Sequence, residues 1–302
     1  MNQVLVIVGP TGIGKSELAL NFAQKLNGEI ISGDSIQVYR DLNIGSAKVS
    51  LKQQSLVKHH LIDIYDLEDS YSVALFQEMG RKLISDIIAR GKLPIIAGGT
   101  GLYIKALLYD YIFLKEEPNP EVVKQVNQLS NSELYQELLE SDPESLKEIH
   151  INNRQRLLRA VIFNRIQKEK KSEVIASQKK ELLYDVFLIG LTLPRAELYK
   201  NINLRVDEMI QAGLENEVRK IIADDLQRFN LQALKGIGYK EWQPYFENKA
   251  SLDEVIMKIK QNSRNLAKRQ YTWFNNQMDI KWYDKNSLKQ DELFQEVAKW
   301  LK

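Results

Sequence analysis

The sequence contains no cysteine and only three histidines among its 302 residues. The missing cysteines exclude disulfides, thiolate zinc sites and cysteine nucleophiles, and three histidines offer few ligands for any other metal. No stretch approaches the ~18 uncharged apolar residues of a membrane span, and the N-terminal residues lack the pattern of a secretory signal. We therefore expect a soluble, cytoplasmic protein whose chemistry comes from carboxylates, hydroxyls, lysine, arginine and the backbone.

Net charge is also small, since 42 basic and 40 acidic residues give +2, and this argues against a basic coat over the whole surface. The charge is nevertheless uneven along the chain. Residues 116–148 hold nine acidic and two basic residues, whereas residues 149–180 hold nine basic and two acidic ones. Residues 258–269 add five positive charges and no negative one. One such block is typical of a solvated helix face, but two blocks beside a phosphate-binding motif favour a polyanionic partner.

Short apolar runs rich in β-branched residues predict buried strands, at residues 4–8, 29–32, 93–97, 186–191 and, late in the chain, 279–283. Amphipathic helical spacing alternates with them, at residues 17–26 and 72–89. Strands and helices that alternate and are separated by glycine turns predict an α/β fold with an open parallel sheet flanked by helices.

The stretch from residue 115 to residue 184 is helical in pattern almost throughout. It lies between the predicted strands at 93–97 and 186–191 and therefore outside the sheet. Pro118 and Pro120 mark its start. We therefore predict an α/β core domain of residues 1–114 and 185–302, with a helical C-terminal part, interrupted by an all-helical insertion domain of residues 115–184.

A glycine-rich segment matches the pattern G-x-x-x-x-G-K-[ST] between a predicted strand and a predicted helix, and it consists of Gly9, Pro10, Thr11, Gly12, Ile13, Gly14, Lys15 and Ser16. Such a P-loop curls so that successive N–H groups converge on a phosphate, and the helix N-terminus adds its dipole. Lys15 contributes a compact positive charge, and the Ser16 hydroxyl can bind Mg²⁺. The motif predicts a di- or triphosphate site in a P-loop NTPase-like sheet.

Two further segments follow predicted strands. Asp34 should face the same crevice as Lys15, because ligands of open parallel sheets gather at the carboxyl ends of the strands. There it could hold Mg²⁺ or take a proton from an attacking group, or it could simply form a turn. Gly-Gly-Thr-Gly at 98–101 predicts a close approach of backbone to ligand, with a tight strand-to-helix turn as the alternative.

Several motifs in one order closely resemble the tRNA dimethylallyltransferase family from residue 9 to about residue 274; they include GPTGIGKS, ISGDSIQVYRDLNIGSAK, AGGTGLYIKALL, NNRQRLLRAVI, LKGIGYKEW and NLAKRQYTWF. Because it lacks cysteine, the sequence resembles the bacterial members of the family, which have no zinc-finger extension. The resemblance implies transfer of a dimethylallyl group from dimethylallyl diphosphate to the exocyclic N6 amine of the adenosine 3′ to the anticodon, at tRNA position 37, with release of diphosphate.

The resemblance also implies roles for individual residues. The P-loop would bind the donor diphosphate with Mg²⁺ at Ser16, Thr11 and Arg205 would contact the diphosphate, and Lys15 would neutralise the departing charge. Asp34 would orient the adenine amine and accept its proton. The implied tRNA-contacting positions are Asp34, Ser35, Ile36, Gln37, Thr100, Arg154, Gln155, Arg156, Leu157, Leu158, Lys235, Gly236, Gly238 and Tyr239. The implied partners are dimethylallyl diphosphate and a tRNA anticodon stem-loop clasped by the insertion, with the protein acting as a monomer.

Three alternative functions share part of these signals. A small-molecule kinase would use the P-loop for ATP, a prenyltransferase could act on a free adenine nucleotide, and an RNA-binding protein could retain the P-loop only for folding. The DSIQVY segment and the helical insertion, with its basic block at residues 149–180, argue against a kinase. An intact set of Lys15, Ser16 and Asp34 argues against a protein without catalytic activity.

Overall fold

The computed structural model describes residues 2–111, 113, 119–167, 170–178 and 181–302. The chain forms two compact units. The first combines Met1–Leu108 with Leu182–Lys302, and the second consists of Tyr109–Glu181. The predicted N-terminal boundary of the insertion, at residues 114 and 115, lies outside the described residues.

The first unit is built on one parallel sheet of six strands. The strands are β1 (Gln3–Val8), β2 (Gly28–Ser32), β3 (His59–His60), β4 (Leu93–Gly98), β5 (Asp185–Thr192) and β6 (Lys281–Asp284). Their order across the sheet is β3-β2-β4-β1-β5-β6, and all neighbouring pairs are parallel. The predicted α/β fold with an open parallel sheet is therefore confirmed. Only the two-residue strand β3 has no counterpart in the prediction, because so short a strand has no apolar run.

Thirteen helices are described. In the first unit they are α1 (Lys15–Lys25), α2 (Leu51–Leu56), α3 (Val73–Ala89), α4 (Gly101–Leu108), α9 (Arg195–Gln211), α10 (Leu214–Ile222), α11 (Gln243–Phe246), α12 (Leu252–Gln277) and α13 (Gln290–Trp300). In the second unit they are α5 (Pro120–Gln128), α6 (Asn131–Ser141), α7 (Arg154–Gln167) and α8 (Lys171–Ala176). Short 3₁₀ helices cover Pro143–Lys147, Leu226–Asn230, Gln232–Lys235 and Lys240–Trp242. No described helix combines the length and hydropathy of a bilayer span.

Each unit has its own apolar core. In the first unit the cluster includes Leu5, Ile7, Phe22, Ile95 and Ile189. In the second unit the cluster consists of Val126, Leu134, Leu138, Ile149, Leu157, Ala160 and Val161. Burial on both faces explains why the strands read as continuous apolar runs in the sequence.

Candidate functional site

The P-loop lies where β1 ends and α1 begins. Gly14 precedes the helix with a φ of 92°, a left-handed conformation that favours glycine. The Lys15 ammonium donates a hydrogen bond to the Pro10 carbonyl oxygen at 2.7 Å, which closes the loop on itself. Pro10 and Ile13 are buried, so these two residues contribute main chain to the loop and no side chain to its opening.

Two cations face this loop. The Arg205 guanidinium, from α9, donates to the Thr11 hydroxyl at 3.3 Å. Burial and the neighbouring Arg205 charge lower the pKa of Lys15 to about 7, an effect that Asp34 partly offsets. Burial also lowers the pKa of Arg205, against the opposite effects of Asp34 and Glu208. Two positive charges that are partly desolvated and close together favour an anionic ligand between them.

Asp34 follows β2, and its side chain is fixed by the backbone. Its Oδ1 accepts hydrogen bonds from the N–H groups of Ile36 at 2.8 Å and Gln37 at 3.3 Å. This is an Asx turn, so Asp34 forms the turn and also has a side-chain oxygen available to the site.

The loop and the carboxylate line the same cleft, which has two adjoining parts of about 610 Å³ and 130 Å³. Lys15, Ser16, Gln37 and His59 line only the smaller part. Ser35, Ile36, Thr100, Lys235, Gly236 and Gly238 line only the larger part. Both parts share Thr11, Asp34, Ser46, Gly99, Arg205, Leu266 and Gln270. The P-loop thus opens into a space large enough for a small organic ligand, with Asp34 at the junction.

Gln270, on α12, connects two edges of the cleft, and the sequence analysis assigned it no role. Its side-chain oxygen accepts a hydrogen bond from the Thr11 N–H at 2.9 Å, and its Nε2 donates to the Gly99 carbonyl at 3.0 Å. One amide therefore links the P-loop to the loop that carries Thr100. Gln270 lies within the motif NLAKRQYTWF, but that local pattern does not indicate a contact with Thr11, which is 259 positions away.

The glycines at 98–101 line the cleft, and the predicted approach of a ligand stays a prediction. They also lie close to other parts of the protein: a Cβ on Gly98 would collide with the backbone of Gly33, one on Gly99 with the Gln270 side chain, and one on Gly101 with the Trp273 ring.

Tyr239 is fully buried, so its side chain does not face the cleft as the sequence-based role in tRNA contact would require. Its hydroxyl donates to Glu217 at 2.8 Å and accepts from the Ser46 N–H at 3.1 Å. The neighbouring residues Lys235, Gly236 and Gly238 do line the larger part of the cleft.

The five predicted RNA-contacting residues of the second unit, at 154–158, lie in the first turns of α7 and differ in what they expose. Arg154 is half-buried and donates to the carbonyls of Asn127 and Leu129 and to the Asn131 side chain. Gln155 and Arg156 are exposed, and Leu158 is half-buried. Leu157 is fully buried in the core of its unit, so its side chain is unavailable to a ligand.

The cleft contains few side chains that could bind a metal ion. Within the described part of the chain, no three histidine or carboxylate side chains come close enough to form a metal cage. The Ser16 hydroxyl and the Asp34 carboxylate both line the smaller part of the cleft. Mg²⁺ commonly binds through one or two protein oxygens, water and substrate phosphates. These residues therefore fit a Mg²⁺ ion that arrives with a diphosphate.

His59 also lines the smaller part of the cleft. Its Nδ1 lies 2.8 Å from the Val57 carbonyl oxygen, and burial lowers the pKa of His59. His60 points elsewhere and contacts Glu29, with 2.7 Å between Nε2 and Oε2. The adjacent histidines thus have separate environments.

Comparison with known proteins places the sequence among prenyltransferases. The profile of the IPP transferase family matches residues 37–277, and that of the isopentenyl transferases matches residues 2–68. A protein from Bacillus cytotoxicus named tRNA dimethylallyltransferase is 48% identical over 286 residues, which cover 93% of this chain and 90% of the relative. One of the same name from Macrococcus caseolyticus is 44% identical and covers 99% of this chain and 96% of its own.

Solved structures agree with the sequence relatives. A tRNA isopentenylpyrophosphate transferase from Staphylococcus epidermidis is 41% identical, with a TM-score of 0.74 and coverage of 100% of this chain and 99% of its own. A eukaryotic dimethylallyltransferase described as acting on tRNA has a TM-score of 0.85 at 28% identity, with coverage of 99% of this chain and 78% of its own. By these matches the chain belongs to the IPP transferase family.

Proposed function

We propose that this protein transfers a dimethylallyl group from dimethylallyl diphosphate to the N6 amine of adenosine 37 in tRNA, with release of diphosphate. The observation that carries the proposal is the continuity of the cleft, in which one carboxylate, Asp34, borders both the P-loop side and a larger space of about 610 Å³. A donor diphosphate in the loop and a purine in the larger space would meet beside Asp34.

The donor side has the groups that an allylic diphosphate needs. Breaking the bond between carbon and oxygen leaves a delocalised allyl cation and transfers negative charge to the diphosphate. Lys15, Arg205 and the loop N–H groups stand where they would stabilise that charge. We assign Mg²⁺ to the Ser16 hydroxyl, where it would further neutralise the leaving group when bound.

The acceptor side depends on Asp34. The adenine amine is a weak nucleophile because its lone pair is conjugated with the ring, so it needs orientation and removal of a proton as the new bond from nitrogen to carbon forms. Both backbone hydrogen bonds to this side chain fall on Oδ1. We therefore assign to Oδ2 the role of accepting the amine proton.

The RNA must present the adenine outside its stack, since a base within a stacked anticodon loop cannot enter a cleft. We assign contact with the flipped base to the residues that line the larger part of the cleft, among them Ser35, Ile36 and Thr100. In the second unit, which we propose as an RNA-binding insertion, we assign phosphate contacts to exposed residues of α7 such as Gln155 and Arg156.

The test is an assay with radiolabelled dimethylallyl diphosphate, Mg²⁺ and an unmodified tRNA transcript, in the absence of ATP. We expect label in the tRNA and none in a matched transcript with guanosine at position 37. Label in AMP but not in tRNA would contradict the RNA acceptor and identify a nucleotide prenyltransferase. In a separate reaction supplied with ATP, consumption of the γ-phosphate with no transfer of label would identify a kinase.

A further inference from the structure

A carboxylate on α10 collects an exceptional number of hydrogen-bond donors outside the cleft. The two oxygens of Glu217 accept from the backbone N–H groups of Asn43, Ile44 and Gly45, at 2.8–3.2 Å. They also accept from the Tyr239 hydroxyl, at 2.8 Å. Glu217 lines neither part of the cleft. Successive amides that converge on an anion form a nest, so the negative charge of Glu217 holds this turn in shape.

Tyr239 connects the turn to a second loop. Its ring lies so close to Gly45 that a Cβ there would be 2.6 Å from the ring Cζ. A Cβ on Gly238 would be 2.8 Å from the Gly45 carbonyl oxygen. The Tyr239 hydroxyl also accepts from the Ser46 N–H at 3.1 Å. The two loops therefore pack backbone against backbone, and both Gly45 and Gly238 line the larger part of the cleft.

The same turn reaches Asp34 through one side chain. Nε2 of Gln37 donates to the carbonyls of Ser46 and Ala47, at 3.3 Å each. The N–H of Gln37 donates to Asp34 Oδ1 at 3.3 Å. A continuous series of hydrogen bonds thus runs from Glu217 through the turn and Gln37 to Asp34.

We propose that Glu217 is a positioning residue for the acceptor, which fixes the wall of the cleft that receives the purine and the orientation of Asp34. The contacts that hold Lys15 and Arg205 are made to Pro10 and Thr11, outside this network, although Gln37 and Ser46 also line the smaller part of the cleft. Loss of Glu217 should therefore impair use of tRNA more than binding of the donor. This inference rests on the proposed function.

The first experiment is steady-state kinetics of Glu217→Gln with tRNA and donor varied in turn. The amide leaves one acceptor oxygen for four donors and directs its own N–H groups at them. We expect kcat/KM for tRNA to fall about 10- to 100-fold, since unsatisfied donors cost that much, while the KM for the donor changes by a clearly smaller factor. Glu215→Gln, on the same helix, is the matched control: its carboxylate contacts Arg219 and Tyr245, and wild-type kinetics are expected.

A second variant and a second measurement separate positioning from general loss of structure. Tyr239→Phe removes one hydroxyl and keeps the ring against Gly45, so a smaller defect of the same kind is expected. Hydrogen exchange of residues 42–48, followed by mass spectrometry, should accelerate in Glu217→Gln and not in Glu215→Gln.

Three results would overturn the inference. Equal rises in the KM for donor and for tRNA would mean that Glu217 has a general structural role. Unchanged tRNA kinetics with faster exchange would mean that Glu217 stabilises the turn without affecting the use of tRNA. Unchanged exchange would mean that the nest does not depend on the charge. If wild-type protein transfers no label to tRNA, the proposed function itself is wrong. Hydrogen exchange does not require activity, so it still shows whether Glu217 stabilises the turn.

Discussion

The charged groups of the cleft and those of the helical insertion have different partners. Lys15 and Arg205 bond to a backbone carbonyl and a hydroxyl beside an open space. In the insertion, Arg165 forms a bidentate pair with Glu137, and Arg154 donates to carbonyls of its own unit. The sequence places a block of nine basic residues in the insertion, at 149–180, yet two of its arginines are engaged internally. What a cation faces matters more for ligand binding than how many cations lie nearby.

The largest effect in the cleft is expected from Asp34→Ala. Removal of a general base costs about 10²- to 10⁴-fold in rate, so we expect kcat to fall by that factor while the Kd for dimethylallyl diphosphate changes little. Single-turnover transfer to tRNA and calorimetric donor binding measure the two quantities. Equal losses in both would contradict the role of Asp34 as base.

The next largest effect is expected from Lys15→Met, which should impair donor binding as well as turnover. The variant keeps the length of the side chain and removes the charge that would stabilise the departing diphosphate, so we expect a loss of about 10²- to 10³-fold in kcat/KM. Donor binding should weaken as well, as measured by calorimetry with the diphosphate ester. Wild-type turnover in this variant would show that Arg205 and the backbone suffice.

The pH dependence of donor binding tests the environment of Lys15 directly. Its pKa of about 7 means that the free protein carries the proton below pH 7 and loses it above. Because the anionic donor favours the protonated amine, the Kd should rise above pH 7, by up to about tenfold per pH unit. Calorimetry from pH 6 to 9 measures this, and Lys15→Met corrects for titration of the ligand. Parallel curves for the two proteins would contradict the prediction.

The smallest effects are expected in the insertion, and they should separate two arginines of one helix. Arg156→Ala removes an exposed cation, so the KM for tRNA should rise a few-fold and its salt dependence should weaken. Arg154→Ala leaves two carbonyls without their partner, so it should destabilise the protein by about 1–3 kcal/mol.

Thermal unfolding and tRNA kinetics on both variants test this separation. A stability loss in Arg156→Ala equal to that in Arg154→Ala would contradict it. Arg165→Ala serves as a reference for a partly exposed ion pair, where about 0–1 kcal/mol is expected.

Local signals made much of the fold and part of the site predictable. The strands at 4–8, 93–97 and 186–191 were marked by apolar runs, and the P-loop by a contiguous motif, because in both cases the informative residues are neighbours in sequence. Asp34 was placed correctly in the cleft, since the topology of a parallel sheet brings strand ends together.

The remainder depends on contacts between distant residues. Gln270 bonds to a residue 259 positions away, and Glu217 to amides 172–174 positions away. The sequence alone does not show which amides Glu217 would contact. The glycines at 98–101 suggested contact with a ligand, and the structure adds close contacts with Gly33, Gln270 and Trp273. No pattern within a few residues could have identified these partners.

The close packing of Gly98 against Gly33 bears on chemical inhibition. Gly98 and Gly99 line the smaller part of the cleft, where they present peptide groups and no side chain. A compound that bonds to these peptide groups uses atoms that every amino acid possesses, and a methyl group added at Gly98 would collide with the adjacent strand end. We therefore expect substitution of Gly98 to destabilise the protein, which disfavours it as a route to drug resistance.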